Sequence, residues 1–278
     1  LRLDPPPDPV RLLARMARRA PGCTRFLVAP DAGHALVGAT PERLVAVAGR
    51  ALRTMALAGT APRGTDRDAD EALGRALLAS PKDRAEHAHV VAGIRGDLDG
   101  VALDAPAEPR LRPLATLWHL ETPIAGRLAA PLDVLAAAAR LHPTAALAGR
   151  PRDAALALVA RLEGAPRGWF GGAVGWLDGR GDGDLAVVIR SLLVRGREVT
   201  AFAGAGLVAA SDPAAEAAEI ALKLRATLGP LAEDDEQPDA PAASSARSTP
   251  ATPSTSSATS TSPANAARDA SDTRVHAP

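Results

Sequence analysis

Apolar residues recur at helical spacing over residues 10–20, which predicts an amphipathic helix near the start of the chain. Short apolar runs at 25–29, 35–38 and 44–47, bounded by turn residues, predict strands. Ser80-Pro81 has the composition of a helix start, and the stripe Val90, Val91, Ile94 and Leu98 carries that helix to about residue 98. Two further helices are predicted over 129–140 and 152–162. Apolar strands follow at 173–177, 185–194 and 199–203, the first two joined by the turn Asp178-Gly179-Arg180-Gly181-Asp182-Gly183. The last periodic segment opens with Asp212 as N-cap and Pro213 at the first helical position, where its missing N–H would be unpaired anyway. Turn-linked strands with interspersed helices predict an α+β fold with mostly antiparallel sheet, not a βαβ repeat. Near Leu231 the composition shifts to acids and then to Ala, Ser, Thr and Pro. A folded domain over 1–231 and a disordered tail over 232–278 are therefore expected, and His276 in that tail is assigned nothing.

The 278 residues are 46% hydrophobic with a formal net charge of zero. Such a chain can bury a large core, and its charge asks for neither nucleic acid nor a membrane as partner. One cysteine, Cys23, rules out an intramolecular disulfide and suits a reducing compartment. No apolar run approaches the ~18 residues a membrane span needs, and no signal-peptide pattern opens the sequence. The expectation is a soluble cytoplasmic protein, monomeric by default. There is no GxGxxG after a strand and no Walker loop, so nucleotide binding is not indicated. Of the 32 basic residues only Lys82 and Lys223 are lysines, which has the look of GC-rich coding pressure. Residue 1 is Leu rather than Met, which reads as a cut in a longer parent.

The residues that could carry chemistry are mostly charged groups in apolar surroundings. Residues 184–194 are apolar in both parities, which predicts a central strand buried front and back. Arg190 lies in that strand, so its guanidinium needs an anion, either an Asp or Glu of the chain or a ligand carboxylate held bidentately. Glu216, Glu219 and Lys223 fall at i, i+3 and i+7 on one helix side, entered from Gly204-Ala205-Gly206. They could be a surface pair on a capped helix, or a site for a hard cation beside an anion. Glu86 sits next to His87 and His89, whose i, i+2 spacing on a helix speaks against a zinc-type site. Glu42 reads by default as a turn carboxylate pairing with Arg43, His119 as a satisfied core histidine, and His142 as fixing a turn.

Taken in order, the motifs make a resemblance. They are Gly38-Ala39-Thr40-Pro41-Glu42, Leu57-Ala58-Gly59-Thr60-Ala61-Pro62-Arg63-Gly64 and Ser80-Pro81-Lys82-Asp83-Arg84-Ala85-Glu86-His87. Trp118-His119-Leu120-Glu121-Thr122-Pro123, Leu141-His142-Pro143-Thr144 and Arg167-Gly168-Trp169-Phe170-Gly171-Gly172-Ala173-Val174-Gly175-Trp176 follow. Val188-Ile189-Arg190-Ser191, the Gly204–Gly206 turn and the final helix complete the set. This order resembles the chorismate-utilising enzymes, most closely the isochorismate synthases, with salicylate synthases the nearer competitor. Ala145 departs from the pattern, standing where those synthases often carry proline.

The resemblance implies roles. Glu86, Glu216 and Glu219 correspond to the acids that hold Mg²⁺, directly or through water. Arg190 corresponds to the arginine on a substrate carboxylate, supported by the turn containing Gly204 and Gly206. Gly59 and Thr60 correspond to the turn facing the ring carboxylate, His119 to a polar contact near the ring, Lys223 to a contact on the dianion, and Glu42 to the general acid. The implied reaction converts chorismate to isochorismate, by water addition at C2 and loss of the C4 hydroxyl. The family's general base is a lysine just before the region where this chain begins, and neither Lys82 nor Lys223 fits that position. Poor binding and little turnover are thus expected of the chain. Alternatives are a salicylate synthase, which also eliminates pyruvate, and a chorismate-binding protein without turnover.

Overall fold

The computed structural model describes residues 1–232; the predicted tail beyond them lies outside the described residues. Helix α1 (Pro9–Arg19) leads into β1 (Thr24–Asp31), β2 (His34–Thr40), β3 (Arg43–Ala48) and β4 (Ala51–Pro62). Helices α2 (Arg67–Ala79) and α3 (Pro81–Asp97) precede β5 (Ala102–Asp104), β6 (Arg110–Pro113) and β7 (Leu117–Arg127). After α4 (Val134–Leu141), α5 (Ala145–Ala148) and α6 (Arg152–Leu162) come β8 (Ala173–Leu177), β9 (Gly183–Val187), β10 (Ser191–Arg195) and β11 (Glu198–Ala201). Helix α7 (Pro213–Leu228) and a 3₁₀ turn (Gly229–Leu231) close the described chain. The predicted α+β class with antiparallel sheet is what is found.

Local chemistry accounts for the element ends. Asp8 accepts from the Val10 N–H at 2.8 Å ahead of Pro9, and Asp212 accepts from the Ala215 N–H at 2.9 Å ahead of Pro213. Ser80 ends α2 and caps α3, its hydroxyl accepting from the Asp83 N–H at 3.3 Å. The helix predicted at 129–140 starts later, because Asp133 rather than Ala129 supplies the cap, accepting from Ala136 at 2.7 Å. Helix α2 and strand β4 were not among the predicted elements.

There are two sheets. One has the order β1-β2-β10-β11; the other runs β5-β7-β4-β3-β9-β8, with β6 also on β7. Strand β2 pairs with β10 in the small sheet, and β3 pairs with β9 in the large one, all antiparallel. Two neighbouring strands therefore leave one sheet for the other at the same level, through residues 41–42 and 188–190. The long strand predicted over 185–194 is in fact two strands in two sheets. The break comes at Arg190, whose φ of +52° is left-handed and cannot continue a strand. Apolarity in both parities arose from burial on each side of a crossing, not from one central strand.

The larger core lies under the seven-stranded sheet. Leu44, Val45, Leu52 and Ile124 meet Val90 and Ile94 of α3, Leu98 at its C-terminal cap, and Val134 and Leu141 of α4. A second core joins Leu12 and Met16 of α1 to Val37, Leu192, Val194 and Val199 of the small sheet. Helix α7 touches β10, β11 and β4, so it lies across both sheets and next to the crossing.

Gly38 shows how tightly the small sheet is built. A Cβ there would come within 2.5 Å of the Phe26 ring on β1 and 2.9 Å of Ser191 Cβ on β10. Gly38→Ala is expected to destabilise the protein by about 1–3 kcal/mol through overpacking, read as a lowered melting temperature.

Candidate active site

The crossing brings two functional groups, Glu42 and Arg190, into one pocket. Glu42 follows Pro41 at the end of β2, its N–H donating to Thr40 Oγ1 at 3.2 Å and its carbonyl accepting from the Val187 N–H at 3.0 Å. Its side chain is buried, and Arg43 turns away to make a bidentate pair with Asp184, at 3.0 and 2.9 Å. The default Glu42–Arg43 pairing is thus not the one formed. Burial pushes the Glu42 carboxyl up to about 7, while the positive charges of Lys223 and Arg190 pull the other way.

Arg190 lines the same pocket as Glu42. Its guanidinium approaches His119 Nε2 at 3.1 Å and forms no ion pair among the described residues. His119 stands on β7 with Nδ1 2.9 Å from the Gly59 carbonyl. A carbonyl can only accept, so Nδ1 carries the proton and Nε2 offers its lone pair to Arg190. Burial and the Arg190 charge push His119 down to about 3, which keeps the ring neutral. Burial also lowers Arg190, to about 10, against the pull of Cys23, Glu219 and Glu42, leaving it charged at neutral pH. A buried guanidinium without a carboxylate costs several kcal/mol. Of the two partners the sequence allowed, the structural one is not found.

Gly59 provides the carbonyl because it interrupts the β4–β7 register with φ +77°, a bulge that glycine adopts without steric cost. Thr60, paired opposite His119, donates its hydroxyl to Glu219 Oε1 at 3.1 Å and so ties α7 to the bulge.

The three predicted acids come together from two helices, with lysines between them. Lys82 and Glu86 are one turn apart on α3, with Nζ 3.5 Å from Glu86 Oε2. The same Nζ is 2.7 Å from Glu216 Oε1 on α7, outside hydrogen-bond angles, and neither oxygen of the buried Glu216 has a hydrogen-bond partner. Lys223 pairs with Glu219 at 2.6 Å and donates to the Gly204 carbonyl at 2.8 Å. This pair, one possible surface contact by sequence, is largely buried. Burial and the Glu219 charge push Glu86 up to about 7, against Lys82 and Lys223.

Among the described residues no three His, Cys, Asp or Glu side chains stand ready to hold a metal ion. The donors nonetheless suit a hard cation: all are carboxylate oxygens, and both Glu216 oxygens lack hydrogen bonds. His87 Nε2 meets Thr122 Oγ1 at 2.7 Å, while His89 is exposed. His142 does fix a turn, its Nε2 lying 2.7 Å from the Gly171 carbonyl.

The two glycines of the predicted anion turn differ. A Cβ on Gly206 would fall 2.3 Å from Glu86 Oε1, so a side chain there would displace that carboxylate from its present position. A Cβ on Gly204 would meet nothing within 4 Å, so space does not demand that glycine. Sequence reasoning assigned no role to Lys82, nor to Phe170 and Phe202, whose rings stack at 5.6 Å in the pocket wall beside Leu147 and Ile189. Phe170 lay in a quoted motif; Phe202 carried no signal. For Lys82 the signal was its rarity in an arginine-rich chain.

Residues 1–232 match the family described as chorismate binding enzyme, and the chain belongs to that family. It is 49% identical over 193 residues to the salicylate biosynthesis isochorismate synthase of Pseudomonas aeruginosa, covering 68% of this chain and 40% of that one. It is 43% identical over 239 residues to the putative isochorismate synthase MenF of Mycobacterium tuberculosis, covering 82% and 64%. Among solved structures, the putative 2,3-dihydroxybenzoate-specific isochorismate synthase DhbC of Bacillus anthracis superposes with a TM-score of 0.79 at 35% identity, over 82% of this chain and 63% of that one. Menaquinone-specific MenF of Escherichia coli gives 0.77 at 34%, over 83% and 54%. The chain thus spans 40% to 64% of the length of these relatives. No helix among the described residues is long and apolar enough to cross a membrane.

The Glu42 environment makes a thermodynamic demand. With the folded value raised from the usual carboxylate range to about 7, the ionised form is disfavoured in the fold. The penalty is absent near pH 4, grows as pH rises, and is complete above pH 7, reaching about 3 kcal/mol. Glu42→Gln is therefore expected to melt higher than the parent at pH 8 and to lose that advantage at pH 4.5, as followed by thermal denaturation.

Proposed function

We propose that the chain carries the chorismate site of an isochorismate synthase, with Glu42 as general acid. The observation that supports this most is one pocket shared by a buried carboxyl, half-protonated near neutral pH, and an arginine without an ion-pair partner. Chorismate offers two carboxylates and a hydroxyl that must leave. Arg190 takes one carboxylate bidentately, held in place by His119. Gly59 and Thr60 face the other, and Lys223 adds a charge on the dianion. The stacked Phe170 and Phe202 rings give the carbocycle an apolar wall and limit stray water.

The reaction is an isomerisation. Water adds at C2 and gives a proton to a base, the ring double bond shifts, and the C4 oxygen departs as water after taking the Glu42 proton. Hydroxide leaves poorly, so a carboxyl kept neutral near pH 7 suits that step. Mg²⁺, when bound by Glu86, Glu216 and Glu219, would neutralise the ring carboxylate. Lys82 and Lys223 are both engaged by carboxylates, so neither is a free base. Binding with little turnover follows for this chain. Isochorismate so formed would feed siderophore, salicylate or menaquinone synthesis.

Titration calorimetry of the 278-residue protein with chorismate and MgCl₂ tests this. Binding is expected, weakened about 10- to 100-fold in Arg190→Met because a charge-assisted bidentate contact is lost. Isochorismate formation by the same protein should stay at the uncatalysed background. Absence of binding removes the reading, a robust rate shows that one of the two lysines serves as base, and pyruvate release marks a salicylate synthase.

A further inference from the structure

Lysine is almost absent from this protein, yet both lysines face one group of acids. Lys82 lies 2.7 Å from Glu216, 3.5 Å from Glu86 and 3.8 Å from Asp83, and Lys223 lies 2.6 Å from Glu219. The other 30 of the 32 basic residues are arginines, so no general preference for lysine explains this pair. Chemistry separates the two residue types at such a spot. A guanidinium binds carboxylates through a planar fork, whereas an ammonium is a compact charge on a flexible stem.

Lys82 shows the signs of a provisional partner. It meets Glu216 Oε1 at 2.7 Å outside hydrogen-bond alignment, at a residue only 4% exposed. Its own side chain is 25% exposed, against 5% for Glu216 and 11% for Glu86, so a path to solvent is open to the lysine and closed to the acids. Four carboxylates, those of Asp83, Glu86, Glu216 and Glu219, face two ammonium groups. The ionised cluster is short of positive charge by the amount one divalent ion supplies.

We propose that Lys82 is a displaceable internal cation, which holds Glu86 and Glu216 together when no divalent ion is present and withdraws toward solvent when one enters. This rests on the metal part of the proposed function and adds to it a named competitor. The ion then meets acids already gathered from α3 and α7, at the cost of breaking the Lys82 contacts. Lys223 differs, being held additionally by the Gly204 carbonyl.

The scarcity of lysine makes the test direct. The 278-residue protein is acetylated with an N-hydroxysuccinimide ester, with and without saturating MgCl₂, and Lys82 and Lys223 are quantified by peptide mass spectrometry against free Nα-acetyl-lysine. Mg²⁺ is expected to raise Lys82 acetylation several-fold. In parallel, calorimetric titration with MnCl₂ should show Lys82→Gln binding about tenfold tighter than the parent, and Lys82→Arg weaker, because the guanidinium fork grips both acids. Acetylation of Lys82 that is unchanged or reduced while Mg²⁺ demonstrably binds overturns the proposal and leaves the metal reading intact. Binding to Lys82→Gln no tighter than to the parent overturns it likewise. If the parent takes up neither ion, the metal reading itself fails and the displacement falls with it.

Discussion

The structure depends on two adjacent strands changing sheets at one level. Strands β2 and β10 pair in the four-stranded sheet, and their continuations β3 and β9 pair in the seven-stranded sheet. Where the ladder passes from one sheet to the other, backbone groups must find partners off the regular pattern. The Ala39 N–H finds the Arg190 carbonyl, and the Val187 N–H finds that of Glu42. The buried acid Glu42 and the half-buried Arg190 both line the gap at that crossing, beside residues of β4 and β7.

Charge burial makes the gap chemically specific. Two carboxyls, Glu42 and Glu86, are pushed to about 7, a histidine is held neutral, and a guanidinium stays charged without an ion-pair partner among the described residues. The departures have different physical sources. Desolvation dominates at Glu42, whereas at Glu86 the neighbouring Glu219 adds to it. Neighbouring elements keep these costs in place: the Gly59 bulge fixes the His119 tautomer, His119 aims Arg190, and α7 lies across both sheets. A substrate with two carboxylates and a divalent ion are the kind of ligands that would relieve such a site.

The lysines add a second layer. In an arginine-rich chain the cationic partners of Glu86, Glu216 and Glu219 among the described residues are ammonium groups. Lys82 thereby reaches from α3 to Glu216 on α7 at 2.7 Å, and Lys223 holds Glu219 at 2.6 Å.

Much of this was legible in the residues. Helix periodicity, caps at Asp212 and Ser80, and the turn at 178–183 set α1, α3, α6, α7 and the β8–β9 hairpin, because these depend on local chemistry. The ordered motifs pointed to the family and to Glu42, Glu86, Arg190, Glu216 and Glu219 as the groups to watch. Tertiary structure decided the rest. That 185–194 is two strands, that Glu42 leaves Arg43 for the interior, and that Lys82 reaches Glu216 all depend on residues over 100 positions apart in sequence. Periodicity reports which faces are buried but not what buries them. For that reason an apolar run crossing between sheets and one lying inside a single sheet look alike until the chain has folded.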